Sequence, residues 1–182
     1  MGFVLMKSYI QKIQETMLFL SKKKKAIFLG QSVKYPGSSI FESLKTVPKN
    51  KKIELPVFED VQMGLTLGLA LENYFPISCY PRYDFLILGL NQLVNHLDKV
   101  NYLTNNSFKS RIFIRTMVGA RKPLNAGPQH NQDITNGLKK ILTYIKIIHI
   151  KKNSNIIKIF KNALSDKKKI ILFVEDGNNY SG

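Results

Sequence analysis

Apolar residues follow two alternating periods along the chain, that of an amphipathic helix and that of a short buried strand. Helical spacing with polar residues in between is seen at Ile10, Ile13, Met17 and Leu20, and it predicts a helix over residues 8–20. The apolar run 26–30 predicts a strand, and residues 53–55 predict a second one. Between them, Ser38 or Ser39 is placed to cap a short helix.

The same alternation continues to the end of the sequence. Strands are predicted at residues 76–80, 110–118, 145–150 and 169–176, and helices at residues 61–71, 83–102, 134–141 and 155–164. Strands that alternate with helices predict an α/β fold, in which helices cover both faces of a mostly parallel sheet. We find no internal repeat and no linker, so we expect residues 1–182 to form a single domain.

The predicted helix at residues 61–71 is apolar around its whole circumference, which predicts burial on every side. It carries Gly64 and Gly68 four residues apart, and small residues at that spacing allow another helix to approach closely. Two interpretations are open at this point, packing inside the domain and packing against another subunit.

The net charge of +16 first suggests a nucleic-acid partner. Only four of the 28 basic residues are arginines, however, and many lysines stand beside Ile and Asn. This pattern is typical of biased codon usage spread over solvated faces, so we expect no nucleic-acid partner. A basic nucleic-acid-binding domain is the weakest alternative, and it predicts salt-sensitive binding to duplexes.

The single cysteine, Cys79, cannot form an internal disulfide, and its apolar neighbours predict a small buried hydrophobe in a strand. We therefore expect a cytoplasmic protein. No apolar run approaches the roughly 18 residues of a membrane span, so we expect no membrane partner. No pair of histidines and acids has the spacing of metal ligands, and we predict no metal site within this chain.

Two residues are candidates for chemistry. Glu59 follows the second predicted strand, at the edge where open α/β sheets bind ligands, and a carboxylate among apolar neighbours tends to keep its proton and can act as an acid. The alternative is that Glu59, or Asp60 beside it, caps the next helix. His130 lies in a long loop, residues 119–133, and could donate a proton; the alternative is a loop histidine that bonds the backbone.

Several motifs stand in a recognisable order: "PVFE" ending at Glu59, "GLTLGLALENYFP" over residues 64–76, "YDF" ending at Phe85, "NQ" at residues 91–92, and "FIRTMVGA" followed by "GPQHNQ". Together they resemble the pyrimidine-binding domain of the transketolase-like thiamine diphosphate enzymes, and most closely the beta subunit of the pyruvate dehydrogenase first component. The resemblance covers nearly the whole sequence.

The resemblance implies roles for three residues. Glu59 would be catalytic and would hydrogen-bond the aminopyrimidine ring of thiamine diphosphate, while Phe85 would bind the cofactor by stacking on that ring. A core phenylalanine is the alternative for Phe85. His130 would be catalytic and would face the substrate channel. The chain departs from the family at Leu88, where a glutamine near the cofactor is common.

The resemblance also implies a half-site protein that needs a partner. An alpha-like subunit would bind the diphosphate and hold Mg²⁺, giving a heterotetramer or a larger hetero-oligomer, and the C-terminal domain of the beta subunits is expected to be absent. The implied activity is decarboxylation of a 2-oxo acid and transfer of the acyl or aldehyde unit. The alternatives are a noncatalytic regulatory or remnant subunit, and ketol transfer of the transketolase type.

Overall fold

Six parallel strands form one sheet in the computed structural model, which describes residues 7–122 and 125–180. The strands are β1 (Ala26–Gly30), β2 (Lys52–Glu54), β3 (Phe75–Tyr80), β4 (Ile112–Val118), β5 (Lys146–Ile150) and β6 (Ile170–Asp176). Their order across the sheet is β2-β1-β3-β4-β6-β5. The α-helices are α1 (Tyr9–Ser21), α2 (Ser39–Ser43), α3 (Glu59–Leu71), α4 (Tyr83–Leu86), α5 (Val100–Leu103), α6 (Thr135–Ile141) and α7 (Ile156–Leu164). The predicted α/β fold with a parallel sheet is confirmed.

Local hydrogen bonds explain where the first two helices begin. Ser8 caps α1. Its side chain accepts a hydrogen bond from the Gln11 backbone N–H, and the Gln11 side chain accepts one from the Ser8 backbone N–H. These two bonds satisfy two donors at the helix start. Ser38, one of the two serines predicted as caps, accepts a hydrogen bond from the Phe41 backbone N–H at 3.1 Å. Both helices therefore start where the sequence predicts.

Each face of the sheet carries its own hydrophobic core. On one face, α1 and α7 cover strand residues that include Phe28, Phe113 and Phe173. On the other face, α3 and the helical segment after β3 bury residues that include Met63 and Leu93. The central strand β4 is buried on both faces, so its polar residues need partners inside the protein.

Arg115 on β4 is fully buried and paired with the fully buried Glu175 on β6. Its Nη2 lies 2.8 Å from Glu175 Oε1, and its Nη1 donates to Ser43 Oγ at 3.1 Å. Tyr180 donates a hydrogen bond to the other carboxylate oxygen of Glu175. Burial lowers the pKa of the Arg115 guanidinium, but the neighbouring Glu175 carboxylate outweighs this and raises it. Arg115 is therefore a charged member of the core.

The predicted helix at residues 83–102 is helical but irregular. It consists of α4, a 3₁₀ turn at Ile87–Gly89, a π-helical turn at Gln92–Leu97, and α5. In the π turn the Asp98 backbone N–H donates to the Leu93 carbonyl, five residues back. The apolar spacing still holds, because Leu86, Leu93 and Leu97 are all fully buried.

The prediction that α3 is buried on every side is wrong. One face of the helix packs on β3 through Met63 and Ala70, which are fully buried, while Val61 and Leu71 are 62% and 55% exposed. Apolar residues on an exposed face give the same sequence pattern as those in a core.

Among the described residues, no helix is both long enough and apolar enough to cross a membrane.

Candidate functional site

Glu59 lies at the edge of the sheet formed by the carboxyl ends of the strands. It stands five residues after β2, and Gln31 directly follows the neighbouring strand β1. Glu59 is 4% exposed, and its Oε1 accepts a hydrogen bond from Gln31 Nε2 at 2.8 Å. No hydrogen bond to the other carboxylate oxygen of Glu59 comes from residues 7–122 or 125–180. The carboxylate thus keeps one oxygen for a further partner.

The start of α3 fixes the position of Glu59. The N-cap position is occupied by Phe58, which makes no side-chain cap, and Glu59 is the first helical residue. The Tyr80 hydroxyl donates to the Glu59 backbone carbonyl at 3.3 Å. Gly89 packs directly behind it, since a Cβ at Gly89 would lie 3.1 Å from that same carbonyl oxygen. The Glu59 side chain bonds Gln31 rather than capping its own helix.

Phe85 and His130 are brought together although 44 residues separate them in the sequence. Their ring centroids are 5.6 Å apart and the rings meet edge to face at 81°, a favourable geometry for aromatic pairs. His130 Nδ1 is buried and has no hydrogen-bond partner among the described residues. A buried, unsatisfied ring nitrogen costs free energy, and a bound group could supply the missing bond.

The loop that carries His130 is fastened at two points. At Gly119 the chain passes so close that a Cβ there would lie 1.9 Å from the His130 carbonyl oxygen. Further along, Gln132 Nε2 donates to Asp84 Oδ1 at 2.9 Å. The other oxygen of Asp84 is buried and lacks a partner within the described part of the chain. Since Asp84 precedes Phe85, this bond ties the histidine loop to the start of α4.

The predicted residues therefore fall into two groups on one edge of the sheet. Phe85 and His130 form one contact, while Glu59 and Gln31 form the other. Within the described ranges, no hydrogen bond or ring contact joins the two groups. Leu88, where the resembled family commonly has glutamine, is 66% exposed. A ligand that contacts both groups would span this edge.

Sequence reasoning missed Gln31 and Asp84. Gln31 could have been found from its place directly after Gly30, which ends a buried strand at the same edge as Glu59. Gly30 has a φ of +142°, and a Cβ there would lie 2.1 Å from the Cys79 carbonyl oxygen. Only glycine permits this close approach. Asp84 offered no comparable signal, because its partner Gln132 lies in a distant loop.

The chain is similar to proteins named pyruvate dehydrogenase beta subunits and to solved structures of transketolases. No protein-family model matches the chain. Over 159 residues, 86% of the chain, it is 25% identical to a pyruvate dehydrogenase E1 component subunit beta from Cyanidium caldarium. By structure it matches a split-gene transketolase solved as an inactive beta4 tetramer, with a TM-score of 0.64 at 15% identity over 91% of this chain and 49% of that chain.

A second solved structure, the transketolase from Leishmania mexicana, matches 91% of this chain and 24% of that chain, with a TM-score of 0.69 at 12% identity. The chain has the transketolase-like fold. The predicted resemblance to the pyruvate dehydrogenase beta subunits and to transketolase-like proteins is confirmed. This chain spans only part of its relatives' length: 36% and 47% of two curated pyruvate dehydrogenase beta subunits.

Proposed function

We propose that the chain is the pyrimidine-binding, beta-like subunit of a thiamine diphosphate enzyme that acts on a 2-oxo acid, and that it works only with a partner subunit. The observation that carries this proposal is the buried Glu59 carboxylate, held by Gln31 at the sheet edge with one oxygen that accepts no hydrogen bond from the described residues. The similarity to pyruvate dehydrogenase beta subunits supports the same class of enzyme.

The residues of this edge fit the pyrimidine half of the cofactor. Glu59 would hydrogen-bond a ring nitrogen through the oxygen that Gln31 does not contact, while the bond from Gln31 holds the carboxylate in place. Phe85 is half-buried, and its ring can pack against a flat heterocycle. When bound, thiamine diphosphate supplies a carbon nucleophile for the carbonyl of a 2-oxo acid and an electron sink for decarboxylation.

His130 would serve the substrate side of the site. Its Nδ1 lacks a partner among the described residues, and an imidazole can donate a proton to, or hydrogen-bond, the carboxylate of a 2-oxo acid. The edge contact with Phe85 and the fastening of the loop at Gly119 hold the ring in place. Asp84 and Gln132 would act as positioning residues for the loop.

The exposed face of α3 supports the need for a partner subunit. Its apolar side chains Val61, Leu65 and Leu71 stand in solvent, together with Phe58 before the helix. Gly68 lies on the same face, and a Cβ there would meet nothing within 4 Å. An apolar stripe around a glycine suits close packing of a second helix, which favours the subunit-interface interpretation. The diphosphate and Mg²⁺ would be held by that partner.

The test is calorimetric titration of thiamine diphosphate and Mg²⁺ into the chain mixed with the product of the adjoining reading frame. That frame should encode a "GDG" motif and a later Asn. We expect the mixture to bind the cofactor and neither chain alone to bind it well. Glu59→Gln should reduce turnover of 2-oxo acids by about 10²-fold or more, whereas Glu72→Gln, an exposed acid at the end of the same helix, should not.

Three other outcomes decide between the alternatives. Turnover of ketose donors but not of 2-oxo acids would favour ketol transfer. Cofactor binding without any turnover would favour a noncatalytic subunit. If the mixture forms a complex that binds no cofactor, the thiamine proposal is wrong.

Leu65→Lys on the exposed face of α3 should weaken complex formation without lowering the stability of the isolated chain.

A further inference from the structure

A lysine-rich cavity of about 450 Å³ lies at the β2 edge of the sheet, and it shares none of its lining residues with the candidate site. Its basic residues come from three places along the chain: the loop after β1, the turn after α2, and the segment that leads into β2 and begins it. They are Lys34, Lys45, Lys49 and Lys52. The volume lies within the usual range of small-molecule sites.

The positive charge of this cavity is only partly neutralised. Lys45 pairs with Glu42 at 2.6 Å, whereas Lys34, Lys49 and Lys52 have no ion pair among the described residues. A second acid beside the cavity, Glu54, accepts hydrogen bonds from the backbone N–H groups of residues 32–34. Glu54 keeps its negative charge in these bonds and acts to raise the pKa of Lys52, but the three charges of Lys34, Lys49 and Lys52 exceed the single charge of Glu54, so the cavity can attract an anion.

The burial of Lys52 distinguishes this cavity from an ordinary patch of surface lysines. It is only 7% exposed, and its Nζ donates one long hydrogen bond, to the Leu44 carbonyl at 3.3 Å. Burial lowers the pKa of its ammonium group, and the charges of Lys49 and Lys34 lower it further. An ammonium has three donors, so an anion in the cavity could bond Lys52 and relieve this repulsion.

The cavity also has an apolar wall. Val47 is buried, Phe41 is half-buried, and Tyr35 is 65% exposed. An inorganic anion would need only the lysines, whereas the aromatic side chains provide a surface for a flat ring. We propose that this cavity binds a phosphorylated small molecule with a flat ring, with Lys34, Lys49 and Lys52 around its phosphate groups and Phe41 and Tyr35 against the ring.

The first experiment uses pyridoxal 5′-phosphate, a phosphorylated aromatic aldehyde, on the full chain. The neutral amine of a lysine attacks the aldehyde carbon, water leaves, and the resulting imine is reduced to a secondary amine by hydride from added borohydride. With less than one equivalent of pyridoxal 5′-phosphate, mass spectrometry should find Lys52 labelled at least about fivefold more than the exposed Lys24. Added ATP should reduce the labelling of Lys52. Equal labelling of lysines throughout the chain, without protection, would overturn the proposal.

The second experiment keeps Lys52 and therefore does not depend on a substitution in the interior. ATP without metal is titrated into Lys34→Gln/Lys49→Gln and into a control, Lys24→Gln/Lys158→Gln, which loses the same charge at exposed positions elsewhere. We expect the first variant to bind at least about tenfold more weakly than native chain and the control within about twofold. Equal weakening in both variants, or equal affinity for ATP and inorganic triphosphate, would show a general charge effect and refute the site.

Discussion

Glu175→Gln should destabilise the protein more than its small chemical change suggests. The substitution keeps the shape of the side chain but removes the only acidic partner of the buried Arg115 guanidinium among the described residues. The charge of Arg115 cannot move into water, because both side chains are fully buried in the centre of the sheet. The variant therefore leaves an unpaired cation in the core.

The geometry sets the size of the effect. At the 2.8 Å separation of Arg115 Nη2 and Glu175 Oε1, the attraction is about 6 kcal/mol with an effective dielectric constant of about 20. The glutamine oxygen and the Ser43 hydroxyl still accept hydrogen bonds from the guanidinium and recover part of this. Removal of one partner of a buried pair costs about 3–5 kcal/mol. For a chain of this length, that loss lowers Tm by about 10 °C.

Urea unfolding followed by circular dichroism measures the effect, with Glu15→Gln as the matched control. Glu15 pairs with Lys7 at 2.6 Å on the surface, where such pairs contribute at most about 1 kcal/mol. The double substitution Arg115→Met/Glu175→Leu should recover part of the lost stability, because it removes both charges but leaves the Tyr180 hydroxyl without its acceptor. If Glu175→Gln costs less than about 1 kcal/mol at an unchanged m-value, the guanidinium has found another partner and the reasoning is refuted.

Two further predictions concern Asp98 and Gly119. Burial raises the pKa of Asp98, but hydrogen bonds from Lys99 and from the backbone N–H groups of residues 143–145 outweigh this and lower it. The contribution of Asp98 to folding stability is thus present above the unfolded pKa of about 3.9 and is lost as the pH falls through the lower folded value. Asp98→Asn should therefore cost about 2 kcal/mol of stability at pH 7 and make the loss of stability at acidic pH less steep. Urea unfolding at several pH values would measure both effects. In Gly119→Ala the new Cβ would collide with the His130 carbonyl, so we expect a loss of about 1–3 kcal/mol and faster hydrogen exchange around His130; unchanged exchange would contradict this close approach.

Local patterns in the sequence predicted most of the fold. The helix at residues 8–20, the cap at Ser38 and the buried Cys79 in a strand all follow from periodicity or from the chemistry of one residue, and all are present. What failed was the burial of α3, since Val61 and Leu71 are exposed. Periodicity reports that a face is apolar, but it carries no information on whether the same chain covers that face.

The site was only partly predictable for a related reason. Glu59 stood out because it follows a strand, and its predicted role remains a prediction. Its partner Gln31 follows another strand, and the contact between Phe85 and His130 joins a residue of α4 to a residue of a distant loop. These contacts depend on the order of strands across the sheet. No local pattern encodes that order, so distant polar partners such as Asp84 and Gln132 emerged only in three dimensions.

The strand order also constrains how the chain can fold during synthesis. β6 comes after β5 in the sequence but lies between β4 and β5 in the sheet. β5 pairs only with β6 within the described chain, so it has no place in the sheet until residues 170–176 have left the ribosome. Until then β4 also presents an open edge, and the Arg115 side chain has no counter-charge. Every strand pair is parallel and joins segments that are distant in the sequence, which favours slow folding. The insertion of β6 completes the sheet and also brings Glu175 to the buried Arg115, so both events occur in one late step.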